Sequence, residues 1–276
     1  MRRHGGPAAA VLIAAMIGCG EAKRLPDEVV GKTETPGPAA DPLGPAPAAS
    51  DPQAKAALDR AVKAVTQGDP ARLGRVKATA AVYKGGVHLP NQPAMNDATL
   101  YLEVEWPERA RIRYEFAEAG HPRIAFHMAL PNGWMSVGGA AQPADPAEMG
   151  KIISGGLFAQ YGVGLGLPLA DPRAVAALAR QSDGTTGVKL VLPDLPLMLV
   201  TFDDKTGLPI RVESNPLEYG NRVTKRITFA DHKPHDGLVV PTAIELVQNG
   251  RPAEKWTLQK WESPEKIDPA AFEPPK

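Results

Sequence analysis

The first apolar stretch of the chain, Ala8 to Ile17, is an unbroken run of ten residues that ends on the small pair Gly18 and Cys19. It is too short to cross about 30 Å of hydrocarbon as a helix, and Arg2 and Arg3 in front of it supply a positive start, so residues 1–18 read as an export signal. From Gly20 to about Ser50 neither the period of a strand nor that of a helix is present, and seven prolines fall between Pro26 and Pro52. Such a stretch buries too little apolar surface to offset the entropy of ordering it, which makes residues 19–50 a disordered Pro/Ala-rich tether. Pattern begins at Asp51-Pro52, an N-cap followed by proline in the first helical turn. Leu58, Ala61, Val62 and Val65 then share one face until Gly68.

After Gly68 the period becomes two. Val76, Ala78, Ala80 and Val82 alternate with Lys77, Thr79 and Ala81, which predicts a half-buried strand with the first set inward. Leu100, Leu102, Val104 and Trp106 form one face of the next run, against Tyr101, Glu103 and Glu105. Past Pro107-Glu108, Ile112, Tyr114 and Phe116 alternate with Arg111, Arg113 and Glu115, giving a hairpin with one apolar and one charged face. Ile124, Phe126 and Met128 continue the apolar face, and Trp134 to Val137 follow the turn at Pro131-Asn132-Gly133. Five such strands pair as a meander without a crossover helix.

The middle of the chain reads differently. Asp145-Pro146 and Asp171-Pro172 repeat the N-cap and proline signature and predict helices over Ala147 to Ile153 and Arg173 to Gln181. Between them, Leu157 to Leu169 interleaves apolar residues with Gly162, Gly164 and Gly166. Glycine weakens a helix by about 1 kcal/mol per residue, so this is a mobile segment or broken helix, or else a buried connector. Strand patterns return at Val188 to Leu192, Leu197 to Phe202, Ile210 to Val212, Arg222 to Ala230, Leu238 to Val247 and Ala253 to Glu262. The count is about eleven strands in two blocks around a helical insert, an α+β class rather than a doubly wound sheet. Residues 51–276 form one domain.

Composition narrows the function. Basic and acidic residues balance at 31 each, and 29 against 31 remain once Arg2 and Arg3 leave with the signal, so a basic nucleic-acid footprint is excluded as the leading idea. A single cysteine excludes an internal disulfide framework and any multi-cysteine metal site. The run Met16-Ile17-Gly18-Cys19 resembles the bacterial lipobox, with Met where Leu is usual, and identifies Cys19 as the lipid anchor. Gly20 is not the Asp associated with inner-membrane retention, which favours the outer membrane, facing the periplasm.

Catalytic candidates are few. Asp231-His232-Lys233-Pro234-His235-Asp236 has two imidazoles and two carboxylates, a donor set for a divalent metal, but Pro234 and Asp236-Gly237 read as a strand-connecting turn. His88, His121 and His127 have no nucleophile or carboxylate motif around them. Gly162-x-Gly164-x-Gly166 lacks the lysine of a phosphate loop, and Ser154 and Ser182 stand alone. The expectation is a protein that is not an enzyme, with no cofactor and no metal.

One family resemblance gathers these features. The turn at Asp204-Lys205-Thr206-Gly207, the pair Ile227-Thr228-Phe229-Ala230-Asp231-His232 and Asp236-Gly237-Leu238-Val239-Val240-Pro241, and the closing Ile267-Asp268-Pro269-Ala270-Ala271-Phe272-Glu273-Pro274-Pro275 resemble the LolA/LolB-like outer-membrane lipoprotein-sorting family. The resemblance implies a half-open antiparallel β-barrel enclosing or covered by a few helices, with an apolar cavity for acyl chains of lipids or lipoproteins. The anchored acceptor of that family is the nearer comparison, given Cys19. Its membrane-inserting apolar loop has possible counterparts in Leu89 to Met95 and Leu157 to Leu169. Candidate lining residues are Leu100, Leu102, Val104, Trp106, Ile112, Tyr114, Phe116, Ile124, Phe126 and Met128; the alternative is a closed core in which they touch only the helices. Three functions follow: a membrane-anchored envelope lipoprotein that binds acyl chains, a sensor or interaction module of the same fold, and a metal-dependent envelope hydrolase as the third. The sequence names no protein partner.

Overall fold

The computed structural model describes residues 43–76, 78–89, 92, 94–118, 120–155, 159–180, 185–193, 195–218 and 221–274. Cys19, the signal and the tether as far as residue 42 lie outside them, as do Leu157 and Phe158. Residues 43–50 of the tether instead lie against the domain, with the Lys189 ammonium donating to the Pro45 carbonyl at 3.4 Å and the Ala176 N–H to the Ser50 hydroxyl at 3.3 Å. Helix α1 (Pro52–Val65) starts where the sequence predicts, with the Asp51 carboxylate accepting from the Gln53 N–H at 2.7 Å, and buries Ala54, Leu58, Ala61, Val62 and Val65. A short helix α2 (Ala71–Arg75) leads into the first block of strands. These are β1 (Ala78–His88), β2 (Met95–Glu105), β3 (Arg109–Phe116), β4 (Ile124–Ala129), β5 (Asn132–Val137) and a two-residue β6 (Ala140–Ala141). Helices α3 (Pro146–Ile153) and α4 (Ala159–Gly164) and a 3-10 turn (Pro168–Ala170) form the insert.

The second block runs β7 (Val175–Arg180), β8 (Thr186–Val191), β9 (Met198–Phe202), β10 (Pro209–Ser214), a small hairpin β11 (Leu217–Glu218) and β12 (Asn221–Arg222), β13 (Lys225–His235), β14 (Leu238–Gln248) and β15 (Arg251–Glu262). Among the described residues thirteen strands form one antiparallel sheet in the order β6-β5-β4-β3-β2-β1-β15-β14-β13-β10-β9-β8-β7. Its ends, β6 and β7, do not pair, so the expected half-open α+β arrangement is the one observed. The pairing of β1 with β15 joins the blocks at the centre, and one continuous core takes side chains from both blocks and from the helices between them.

Three local expectations need correction. The segment after Asp171-Pro172 is not a helix: Asp171 caps only a single turn, accepting from the Arg173 N–H at 2.9 Å, after which Val175 to Arg180 pairs along β8 as the sheet edge. Its alanines favour a helix, but the open ladder of β8 supplies hydrogen bonds that outweigh so small a propensity. In β1 the inward set is inverted. Thr79, Ala81 and Tyr83 stand opposite Val104, Leu102 and Leu100 and are buried, while Ala78 packs on the other face against Ile267, Ala271 and Phe272. Small residues on both faces left that alternation ambiguous. Finally, Asp231 to His235 is not a turn. Strand β13 continues through it with a bulge at Asp231 (φ 52°), where the Thr242 hydroxyl donates to the Asp231 carbonyl at 2.6 Å, and the chain reverses only at Asp236-Gly237.

The closing phrase has a clear structural role. Asp268 caps the final 3-10 turn (Pro269–Phe272) by accepting from the Ala270 N–H at 3.0 Å, and Phe272 is buried on the outer face of the sheet. The Ile267 N–H donates to Glu105 at 3.0 Å, and His127 donates through Nδ1 to the Ala271 carbonyl at 3.1 Å, so the C-terminus straps β2 to β4 from outside.

Candidate functional site

The alternation predicted an apolar inner face on β2 to β4, and the structure has one. Leu100, Leu102, Val104, Ile112, Tyr114, Ile124, Phe126 and Met128 are all buried in the main core. Trp106 and Phe116, at strand ends, are partly buried against it. Register brings the set into rows: Leu102 opposite Ile112, Ile112 opposite Phe126, and Phe126 opposite Met135. These side chains pack in one core with the helices as well as with each other. Helix α3 lies on β4 and β5 so closely that a Cβ on Gly150 would stand 2.2 Å from the Pro131 carbonyl oxygen.

The insert's second half fills the middle of the concave face. Every residue from Tyr161 to Leu169 is buried, and the glycines mark its closest approaches. A Cβ on Gly162 would meet Trp106 at 3.2 Å, one on Gly164 would meet the Phe229 ring at 2.9 Å and Pro241 at 3.1 Å, and Gly166 (φ +74°) lies against Val65. The interleaved glycines therefore serve contact with β2, β13, β14 and α1 at once. This segment is a plug whose apolar residues fill the middle of that face.

Beneath the plug sits a polar cluster that sequence reasoning missed. Glu254, on the inner face of β15, is only 8% exposed. Its Oε2 accepts from the Trp256 Nε1–H at 2.7 Å and from the Tyr161 hydroxyl at 2.9 Å, and its Oε1 accepts from the Tyr114 hydroxyl at 3.3 Å. Burial, and then the adjacent carboxylate, hold both tyrosine hydroxyls well above the usual phenol range. The alternation of Glu254 with Lys255 and Trp256 was the available signal: a carboxylate stood on the same face as a core tryptophan.

A second buried pair closes the same face near its edge. The Lys225 ammonium lies 2.6 Å from Glu218 Oε1, with both side chains almost wholly buried, and Glu218 Oε2 has no hydrogen-bond partner. Burial raises the Glu218 carboxyl above its ordinary value despite the lysine. Outside Trp106, a groove of about 440 Å³ opens between α2, the β2–β3 turn, Leu167 and Glu265-Lys266. Trp106 forms its wall on one side and contacts the plug on the other.

The remaining candidates are not brought together. His232 is partly buried, with burial lowering its imidazole pKa, and His235 stands three residues further along the same strand. Among the described residues no group of three or more His, Cys, Asp or Glu side chains is placed to hold a metal ion. Among them, too, no helix is long and apolar enough to cross a membrane.

No protein-family model matches the sequence, and no curated protein matches it. Solved structures resemble it in layout. A LolA superfamily protein from Nitrosomonas europaea has 12% identity and a TM-score of 0.48 over 80% of this chain and 97% of its own. An outer membrane lipoprotein-sorting protein domain from Vibrio parahaemolyticus has 10% identity and a TM-score of 0.44 over 78% and 97%. A DUF1329 family protein from Desulfovibrio piger has 11% identity and a TM-score of 0.47 over 81% and 98%.

Proposed function

We propose that this chain is a lipid-anchored protein of the bacterial envelope whose concave face holds acyl chains of lipids or lipoproteins. The observation that carries the reading is the plug. A contiguous apolar face is covered at its centre by a short, glycine-rich segment, and not by further strands of a closed barrel. Glycines that sit in close contact without side chains of their own allow such a segment to leave and return with few rotamers to reorder. An acyl chain entering beside Trp106 would replace the plug's apolar contacts with its own, gaining about 0.8 kcal/mol per buried methylene.

In this reading residues 1–18 are removed, Cys19 carries the lipid and residues 20–50 let the domain stand off the outer membrane on its periplasmic side. A Cys19→Ser variant then moves from the membrane to the soluble fraction. The binding claim is tested by titrating residues 50–276, stripped of bound lipid, with a pyrene-labelled monoacylglycerol. Saturable binding with one site supports it, and an absence of binding by a folded domain rejects it.

A further inference from the structure

Acyl-chain burial needs only apolar walls, yet Glu254 stands in the middle of those walls. Three neutral donors meet its carboxylate, and none of the ion pairs among the described residues includes it. Lys225, the basic side chain on the same face, is already engaged by Glu218 at 2.6 Å. The charge on Glu254 is thus satisfied by hydrogen bonds alone.

The three donors differ in what holds them. Tyr114 belongs to β3 and Trp256 to β15, and their rings pack at 6.0 Å between centroids, so both are fixed by the sheet. Tyr161 belongs to α4 and leaves with the plug. A carboxylate can accept about four hydrogen bonds. With the plug in place Oε1 has one long contact, at 3.3 Å, and with the plug displaced Oε2 also loses its 2.9 Å donor. A buried carboxylate short of donors is strongly unfavourable, so whatever displaces the plug has to bring a donor or a positive charge of its own.

We infer that Glu254, held by Tyr114 and Trp256, is a head-group site that selects amphiphiles whose head is an ammonium or a hydrogen-bond-donating amide, and disfavours fatty-acid carboxylates. With the plug in place, the Tyr161 hydroxyl is the stand-in for that head. This rests on the reading that the concave face holds acyl chains, and it adds which chains are accepted. A neutral donor satisfies the Oε1 and Oε2 lone pairs, an ammonium also compensates the charge, and a carboxylate would face like charge in a site with little water to screen it.

The test uses the whole chain from residue 19 and measures displacement of the pyrene-labelled monoacylglycerol by dodecylammonium and by dodecanoate near about pH 7.5, where both are charged. Dodecylammonium should displace the probe at a concentration at least about tenfold lower. In Glu254→Gln, checked by thermal melting, the ratio should fall below about threefold. Tyr161→Phe should keep the preference while lowering the concentrations of both competitors, because the stand-in donor is gone. The wild-type ratio should also persist from about 0.05 to about 0.5 M salt, since a buried charge is screened far less than a surface one, and this arm stands even where Glu254→Gln fails to fold. A bound probe displaced equally well by dodecanoate overturns the head-group site and leaves the carrier reading intact. So does a preference that survives in folded Glu254→Gln or collapses with salt. A probe that never binds removes both.

Discussion

Strands β2 to β4 carry two faces built from the same alternating residues but held by different physics. The inner face, from Leu100 to Met128, is apolar and covered by helices and the plug. The outer face is a lattice of charge: Arg111 pairs with Glu103, Arg123 with Glu115 at 3.0 Å, and the Arg113 guanidinium stacks 4.1 Å from the Tyr101 ring centroid. Outward charges gain little in water, whereas inward apolar side chains supply most of the stabilisation of the sheet. The difference explains why the outer face needs a strap. Where Ile267, Ala271 and Phe272 cover it, that face buries an apolar cluster of its own with Ala78. The inner face is both core and candidate site, so changes there act on folding and binding together.

That contrast is broken most severely from the inside. Phe126→Asp places a carboxylate at a position 4% exposed among apolar side chains, and it should unfold the domain or cost several kcal/mol, about 3 or more. A chemical-denaturation midpoint within error of wild type would mean that the inner face is open to water. Next in size, Phe272→Ala should cost about 3 kcal/mol by emptying the strap's anchor, with hydrogen-exchange protection lost along the outer ladder of β3 and β4 but not at the plug. Equal loss at both would show that the two faces are not energetically separate.

Gly164→Ala acts on the plug alone. The added methyl meets an aromatic ring and a proline, neither able to yield freely, and should cost about 1 to 3 kcal/mol while raising the population of displaced plug. Stopped-flow mixing with the acyl probe should then show faster entry; unchanged entry would make the segment part of the permanent core. At the outer face, Arg111→Ala should change stability by less than about 1 kcal/mol, the ordinary worth of a partly exposed ion pair. A larger loss in thermal melting would assign the outer lattice a cooperative role.

The smallest effect is one of pH. Burial lowers the His127 imidazole below its ordinary value of 6.5, with the Ala271 carbonyl opposing that shift. A depressed folded-state pKa makes the neutral form the stable one, so its contribution is complete above about 6.5 and is lost as pH falls below it. Wild type should therefore lose a little melting temperature between about pH 7 and pH 5, and His127→Asn should lose less. The depressed carboxyls of Asp171 and Asp203 act only in more acidic solution, so they do not mask it.

Much of this could be read in the residues. Period two over Leu100 to Met128 gave the inner face with the right parity, because large apolar side chains alternate there with charged ones. It failed at β1, where Ala78, Ala80 and Ala81 carry no such contrast. The Asp-Pro signature marked α1 and α3, but after Asp171 it marked only a capped turn, since the following residues found a strand partner about ten positions away in sequence. Glu254 was visible as a residue and hidden as a site: its three donors come from β3, α4 and β15, and only folding brings them together. The plug's glycines were visible too, yet their purpose depends on Phe229 and Pro241, far along the chain.

The central claim is that an acyl chain takes the place of the plug on the concave face. Hydrogen exchange of backbone amides from Tyr161 to Leu169, measured with and without saturating pyrene-labelled monoacylglycerol, tests it directly. The account predicts that protection in this segment falls on binding while protection in β2 to β4 holds or rises. Unchanged or increased protection from Tyr161 to Leu169, with the probe demonstrably bound, would contradict it.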